Sequence, residues 1–133
     1  MILGVGIDIE NHSRFLKYIS PNCNPEYLLS VFTKDELDNY RKFKNHLCYA
    51  VSFSCKESFL KAFGVGWNNS KIQWTNIELL FNEPPENKNT NIRISGIAQK
   101  LLGEYNTNTS FLYDYSIDKS VVVFESILTC KKK

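Results

Sequence analysis

The segment from Asn45 to Phe63 constrains the fold of this chain more than any other. It is long enough for about five helical turns and is apolar on more than one side. Leu47, Ala50, Val51, Ser54, Ser58 and Ala62 are among its small or apolar residues at helical spacing, and Gly64 follows as a stop. Phe53, Phe59, Leu60 and Phe63 extend the apolar surface to further faces, so this central helix must be packed by several elements or by another subunit. Three charges interrupt it: Lys56, Glu57 and Lys61. Glu57 and Lys61 stand one turn apart in the favourable order for a surface ion pair. In a helix otherwise neutral and largely apolar, however, such a cluster needs a partner.

The elements around the central helix follow from local patterns. Ile2 to Ile9 is a β-branched, glycine-punctuated run that reads as a buried first strand, with Asp8 at its exit. An acidic residue there requires compensation, from backbone donors capping the next helix or from a cation. Asn11, His12 and Ser13 are cap-type residues before a helix through Ile19, which the Ser20–Pro25 segment ends and a loop follows. Thr33 and Glu36 form a capping box at the start of a short second helix. Beyond the connection 66–70, Ile72 to Phe81 reads as a strand, Asn82 to Asn91 as a mobile turn, Ile92 to Ile94 as a short strand and Gly96 to Glu104 as a helix. Ser110 to Tyr115 and Val121 to Leu128 read as antiparallel neighbours, and three lysines form a tail. Without repeats or a linker, residues 1–133 are expected to form one α+β domain, a mainly antiparallel sheet packed on the long central helix.

Composition narrows the function classes. With 43% hydrophobic and 23% charged residues the chain is globular rather than disordered. No apolar run approaches the roughly 20 residues that span a bilayer, and Asp8 and Glu10 fall where a signal peptide would be apolar, so a cytoplasmic protein without membrane attachment is expected. Cys23, Cys48, Cys55 and Cys130 do not have zinc-site spacing and read as reduced thiols packed in the core. A net charge of +2 does not by itself argue for nucleic acid. The local cluster Arg41-Lys42-Phe43-Lys44, with Arg14 and Lys17 on the earlier helix, is either a solvated face or a contact for an anionic partner.

One economical partner for the central charges is a divalent cation bridging Glu57 and Asp8, with Lys61 beside it neutralising phosphate oxygens. Mg²⁺ prefers hard oxygen ligands and is commonly held by one or two carboxylates, waters and substrate phosphates. Such a group would polarise a phosphoryl group and stabilise the charge that develops as it transfers.

Three segments carry a family resemblance. Gly4-Val5-Gly6-Ile7-Asp8-Ile9-Glu10 with Arg14 resembles the opening motif of the holo-(acyl carrier protein) synthases of the phosphopantetheinyl transferase superfamily. Phe32-Thr33-Lys34-Asp35-Glu36-Leu37 resembles their Phe-Thr-x-x-Glu segment, and the run from Phe53 to Gly66 resembles their central helix and glycine turn. The resemblance implies an enzyme that moves the 4'-phosphopantetheine arm of coenzyme A onto a serine of an apo acyl carrier protein, with Mg²⁺. Under it, Asp8 and Glu57 would hold the metal. Lys61 would act in catalysis and contact the coenzyme A phosphates, with Lys44 and Gly64 also on the coenzyme. Glu57, or a water it orients, would take the serine proton. Arg14 would meet the acidic carrier protein, and a homotrimer with sites between subunits is implied.

The chain also departs from that family. Ser52 occupies the place of an arginine before the central Phe, and Asn82-Glu83-Pro84-Pro85 replaces a Gly-x-Pro turn. No histidine stands in the C-terminal Ser-x-x-His motif, where Ser116 or Lys119 takes its position; His12 and His46 lie elsewhere. The alternative reading is therefore a catalytically impaired family member that binds coenzyme A or a carrier protein. A nucleic-acid module has only the Arg41–Lys44 cluster in its favour.

Overall fold

A computed structural model of the chain describes residues 1–64, 71–105 and 109–130. Strand β1 (Ile2–Asn11) runs into a 3₁₀ helix (His12–Ile19), then helices α1 (Pro25–Val31), α2 (Lys34–Phe43) and α3 (His46–Phe63). A 3₁₀ turn (Trp74–Asn76) precedes β2 (Ile77–Phe81), and another (Pro85–Asn87) separates it from β3 (Thr90–Ile94). Helix α4 (Gly96–Tyr105), β4 (Thr109–Ile117) and β5 (Val121–Cys130) complete the order. The strands form an antiparallel sheet in the order β1-β5-β4 and a separate β2–β3 hairpin. This is the expected α+β architecture, with the three-stranded sheet lying on α3.

Asn45 caps α3 by accepting from the Leu47 N–H at 3.0 Å, and Gly64, left-handed at φ 70°, ends it. Fourteen of its eighteen residues are buried, so its apolar faces are satisfied within the chain and need no second subunit. The closest packing is against β1. A Cβ at Gly4 would overlap the carbonyl oxygen of Ala62, and one at Gly6 that of Ser58, so only glycine lets helix and strand backbones meet. The hydroxyls of Ser58 and Ser126, 2.5 Å apart, join α3 to β5.

The first strand is not buried on both sides as its composition suggests. Gly6 and Asp8 face α3, whereas Val5, Ile7 and Ile9 alternate outward and are more than half exposed. The register places Val123 and Ile127 of β5 and Leu112 of β4 on the same outer face. Two other expectations shift. Residues 24–31 are not a loop: Asn24 accepts from the Glu26 N–H at 3.0 Å, and a proline at the first helical position costs no hydrogen bond. The segment read as a strand from Ile72 is strand only from Ile77, because a 3₁₀ turn occupies Trp74–Asn76. The 82–91 turn is tied by the Asn82–Asn89 backbone and side-chain bonds and by Asn89 Nδ2 to Glu83 Oε2 at 2.8 Å. The Val65–Ser70 connection, including Val65 and Gly66 of the glycine turn, and the terminal lysines lie outside the described residues. Cys48, Cys55 and Cys130 are buried, as expected of core thiols, while Cys23 is half-buried at a cleft.

The three charges of α3 separate in the fold. Lys56 points into the core, fully buried against an equally buried Glu36 at 2.8 Å. Lys56 Nζ also donates to the carbonyls of Trp74 (3.0 Å) and Ile77. The Glu36 carboxylate accepts from the Thr33 N–H (3.1 Å), the Tyr40 hydroxyl (2.7 Å), the Ser52 hydroxyl (2.9 Å) and the Leu79 N–H (3.0 Å). Burial, followed by the Glu36 charge, pushes the Tyr40 phenol well above its ordinary value, which keeps it a donor. The capping-box glutamate is thus the polar centre of the core, joining α2, α3 and β2. Removing one member of such a pair leaves the rest uncompensated. Glu36→Leu is expected to lower unfolding stability by roughly 3–5 kcal/mol in a denaturant titration. Pairing it with Lys56→Met is expected to restore a large part of that loss, and no recovery in the double variant would contradict the pairing.

Candidate active site

Asp8 is the third of three alternate inward positions on β1, after Gly4 and Gly6. The close approach that the glycines permit brings its carboxylate against the middle of α3. It is only 6% exposed, accepts from Ser54 Oγ at 2.8 Å, and pairs with Lys61 Nζ at 3.1 Å. Lys61 Nζ also donates to the Ile7 carbonyl at 3.0 Å, and half of its side chain faces solvent. Ser54, Glu57 and Lys61 lie at i, i+3 and i+7, which places them on one face of the helix. Glu57 is half-buried on that face, near enough for its charge to act on Glu10.

Glu10 is the residue that sequence reasoning passed over. Two residues beyond Asp8 on a strand, it shares Asp8's side, which period-two alternation alone would have indicated. Its carboxyl pKa is pushed up from 4.5 to about 7, chiefly by burial, then by the Asp8 charge and a hydrogen bond with Asp8; Arg14 opposes this and Glu57 adds to it. Arg14 pairs with Glu10 at 3.0 Å, and its guanidinium lies 4.9 Å from the ring centres of both Phe15 and Phe53. The site is therefore a crowded acidic pocket edged by one lysine and one arginine, chemistry suited to a divalent cation and a polyanionic ligand. Among the described residues no three metal-type side chains converge on one point. A metal here would be held by a carboxylate pair and water, an arrangement Mg²⁺ accepts.

Comparisons with known proteins identify the family. Residues 4–115 match the model of the 4'-phosphopantetheinyl transferase superfamily. The chain belongs to that superfamily. A holo-[acyl-carrier-protein] synthase of Geotalea daltonii is 33% identical over 132 residues, covering 94% of this chain and 99% of the relative. One from Geobacter metallireducens is 30% identical, covering 96% and 100%. Among solved structures, the holo-[acyl-carrier-protein] synthase of Neisseria meningitidis superposes with a TM-score of 0.77 at 20% identity, covering 97% of this chain and 99% of that one. The Bacillus anthracis holo-(acyl-carrier-protein) synthase, solved in complex with CoA (3',5'-ADP), gives 0.72 at 21%, covering 98% and 99%. The chain is a phosphopantetheinyl transferase of the holo-(acyl carrier protein) synthase type.

For this transferase the structure brings together Asp8, Glu57, Lys61 and Arg14, with Gly64 closing the helix that carries Lys61. Lys44 is not with them. It caps α2 ahead of α3, and the fifteen residues from His46 to Lys61 span roughly 22 Å of helix. Lys44 instead lines a cleft of about 530 Å³ with Tyr18, Tyr40, Arg41 and Tyr49. Ser52 is wholly buried and bonded to Glu36, so the place of the family's arginine faces the core. Ser116 and Lys119 line a second cleft, of about 700 Å³, with Pro85, Glu86 and Lys88. Two of the three departures, the turn at 82–85 and the missing histidine, border this one cleft.

The Glu10 shift gives a signed expectation. The folded state holds a proton there that the unfolded chain, at about 4.5, has released, so Glu10 withdraws stability as pH rises from about 4.5 to about 7. Glu10→Gln is expected to flatten that part of the pH–stability curve. Melting temperatures of the two proteins at pH 5 and 7.5, without divalent cations, check this; parallel curves would contradict the shift.

Proposed function

We propose that this transferase moves the 4'-phosphopantetheine arm of coenzyme A to the serine of an apo acyl carrier protein, with Mg²⁺ held by Asp8 and Glu57. The observation that carries the reading is that Asp8 and Glu57 both act electrostatically on Glu10, with Lys61 paired to Asp8 and Arg14 to Glu10. Burial chiefly raises Glu10 to about 7, and Asp8 and Glu57 add to it, an excess of negative charge that a divalent cation would offset. When bound, Mg²⁺ supplies Lewis-acid polarisation of the pyrophosphate. Lys61, half-exposed beside Asp8, meets phosphate oxygens, and Gly64 at the end of the same helix lies on the coenzyme. Glu57 accepts the serine proton as the hydroxyl attacks the phosphorus of the pantetheine-side phosphate, and 3',5'-ADP departs. Arg14 presents a half-exposed guanidinium for acidic residues of the carrier protein. Lys44, remote from Lys61 within one chain, belongs to this site only where a ligand or a second subunit spans the distance. The chain is proposed to work in the cytoplasm; no described helix is long and apolar enough to cross a membrane.

The arm-transfer reading is tested by mass spectrometry of apo carrier proteins incubated with the chain, coenzyme A and Mg²⁺. A mass gain of one phosphopantetheine on the carrier serine is expected, with Asp8→Asn and Glu57→Gln each lowering kcat/KM by about 10²-fold or more at unchanged fold. The missing histidine beside Ser116 and Lys119 favours the second reading, a module that binds coenzyme A or a carrier protein without transfer. Coenzyme A binding with no arm added to any carrier would select it.

The outer face of the sheet supports a homotrimer. Val5, Ile7, Ile9 and Leu112 are each more than half exposed, an apolar surface that association would cover. Light scattering on eluting protein is expected to give about 46 kDa, three times the 15.4 kDa chain, and Ile7→Asp is expected to shift it to monomer. A monomeric parent protein would rule the trimer out.

A further inference from the structure

The chain's two histidines, 34 residues apart in sequence, meet in the fold at a place the transferase chemistry does not use. His12 opens the 3₁₀ helix after β1, and His46 is the first residue of α3. His46 Nε2 lies 3.3 Å from His12 Nδ1, with the rings tilted by 56° rather than stacked. His12 Nε2 lies 2.9 Å from the Asp118 carbonyl oxygen. A carbonyl only accepts, so the His12 proton sits on Nε2 and Nδ1 turns its lone pair toward His46.

The separation is informative. An N–H donor normally stands about 2.7–3.2 Å from its acceptor, so 3.3 Å is long for a bond between the imidazoles. Two nitrogens bound to one tetrahedral zinc ion, each at about 2.0–2.1 Å, lie about 3.3–3.4 Å apart. The Asp118 carbonyl also does for His12 what outer contacts do for metal-binding histidines: it takes the other ring N–H and fixes tautomer and orientation. A carboxylate is at hand. Glu86 is close enough for its charge to act on His46, and Asn45 Nδ2 reaches its Oε1 at 3.3 Å. Glu86 and Asp118 both line the cleft of about 700 Å³, and both histidines are only half-buried.

We propose that His12 and His46 form a binding site for a borderline transition-metal ion such as Zn²⁺, with water completing its coordination and the nearby Glu86 charge favouring the cation. Imidazole nitrogens suit Zn²⁺, Cu²⁺ or Ni²⁺ and not Mg²⁺, so this site and the carboxylate pocket select different ions. They are also separate in space, because eleven helical residues from His46 to Glu57 span roughly 16 Å. The ion would brace the end of β1, the start of α3 and the β4–β5 turn through three short connections. The site stands independently of the proposed transfer reaction.

The test titrates the EDTA-treated full-length protein with Zn²⁺ by calorimetry and follows the imidazole ¹⁵N resonances by NMR. One ion per chain is expected, with a melting temperature that rises with zinc concentration. The largest shifts are expected at His12 Nδ1 and His46 Nε2, with little change at His12 Nε2. His12→Ala and His46→Gln are each expected to weaken binding at least tenfold, whereas Asp8→Asn leaves it unchanged. Absence of binding at millimolar zinc would overturn the proposal. So would one-to-one binding that both histidine variants retain, or that leaves the imidazole resonances of the parent protein unmoved.

Discussion

Because glycine occupies the inward positions of β1 ahead of Asp8, the backbone of α3 meets the strand without intervening side chains, and the site depends on that contact. Any Cβ at Gly4 or Gly6 would push the helix away from the strand. The displacement would be felt two residues on, where Asp8 reaches Ser54 at 2.8 Å and Lys61 at 3.1 Å. These distances are set by backbone against backbone, the stiffest contact a fold has, because cores shift side chains more readily than main chain. The same contact leaves Asp8 almost wholly enclosed, so its charge acts on Glu10 through protein rather than through water. Close packing and perturbed acidity are two results of one pair of glycines.

The opposite side of α3 is held by the Glu36–Lys56 pair. Burying two full charges is costly, and the cost is met here by an unusually complete set of partners: the carboxylate accepts five hydrogen bonds, and the ammonium donates to two carbonyls besides. Among the described residues no buried side-chain polar atom is left without a partner. The network fixes the rotation of α3 about its own axis. If Lys56 faces Glu36, then Glu57, about 100° further round, and Lys61 must face β1. The buried Lys56 thereby aims Glu57 and Lys61 toward β1.

This division explains what could be read from the residues in advance. Most elements followed from capping and periodicity, although α1 was read as a loop, and α3 was legible almost to the residue because Asn45 and Gly64 bracket it. The charges of α3 were legible as a group needing partners, but Lys56 could not be separated from Glu57 and Lys61. Its partner Glu36 lies twenty residues away and already had a sufficient local explanation as a capping-box residue. The exposure of β1 was hidden for a different reason: a strand whose outer side chains are Val and Ile has the same composition as one buried on both faces, and only its pairing tells them apart. Glu10 was recoverable from alternation. The meeting of His12 and His46 was not, since it depends on where β1 ends relative to the start of α3.

Two of this chain's three departures from its family, the turn at 82–85 and the missing histidine, border one cleft, so they are better understood as a single change than as two. Lys119 lines it, and Lys88 lies between them, its ammonium 3.4 Å from Asp114 and 6.0 Å from the ring centre of Tyr115. Exchanging an imidazole for ammonium groups alters what a phosphate site can do. A lysine holds a permanent point charge and binds anions well, but it does not trade protons near neutral pH as histidine does. If the ligand's phosphates reach this cleft under the proposed function, they meet charge there without a proton relay. The proton of the attacking serine must then be handled entirely on the β1–α3 side, where Glu57 faces a carboxyl, Glu10, that is itself poised near 7. Binding and proton transfer, which one histidine can couple, would here be divided between two sides of the site.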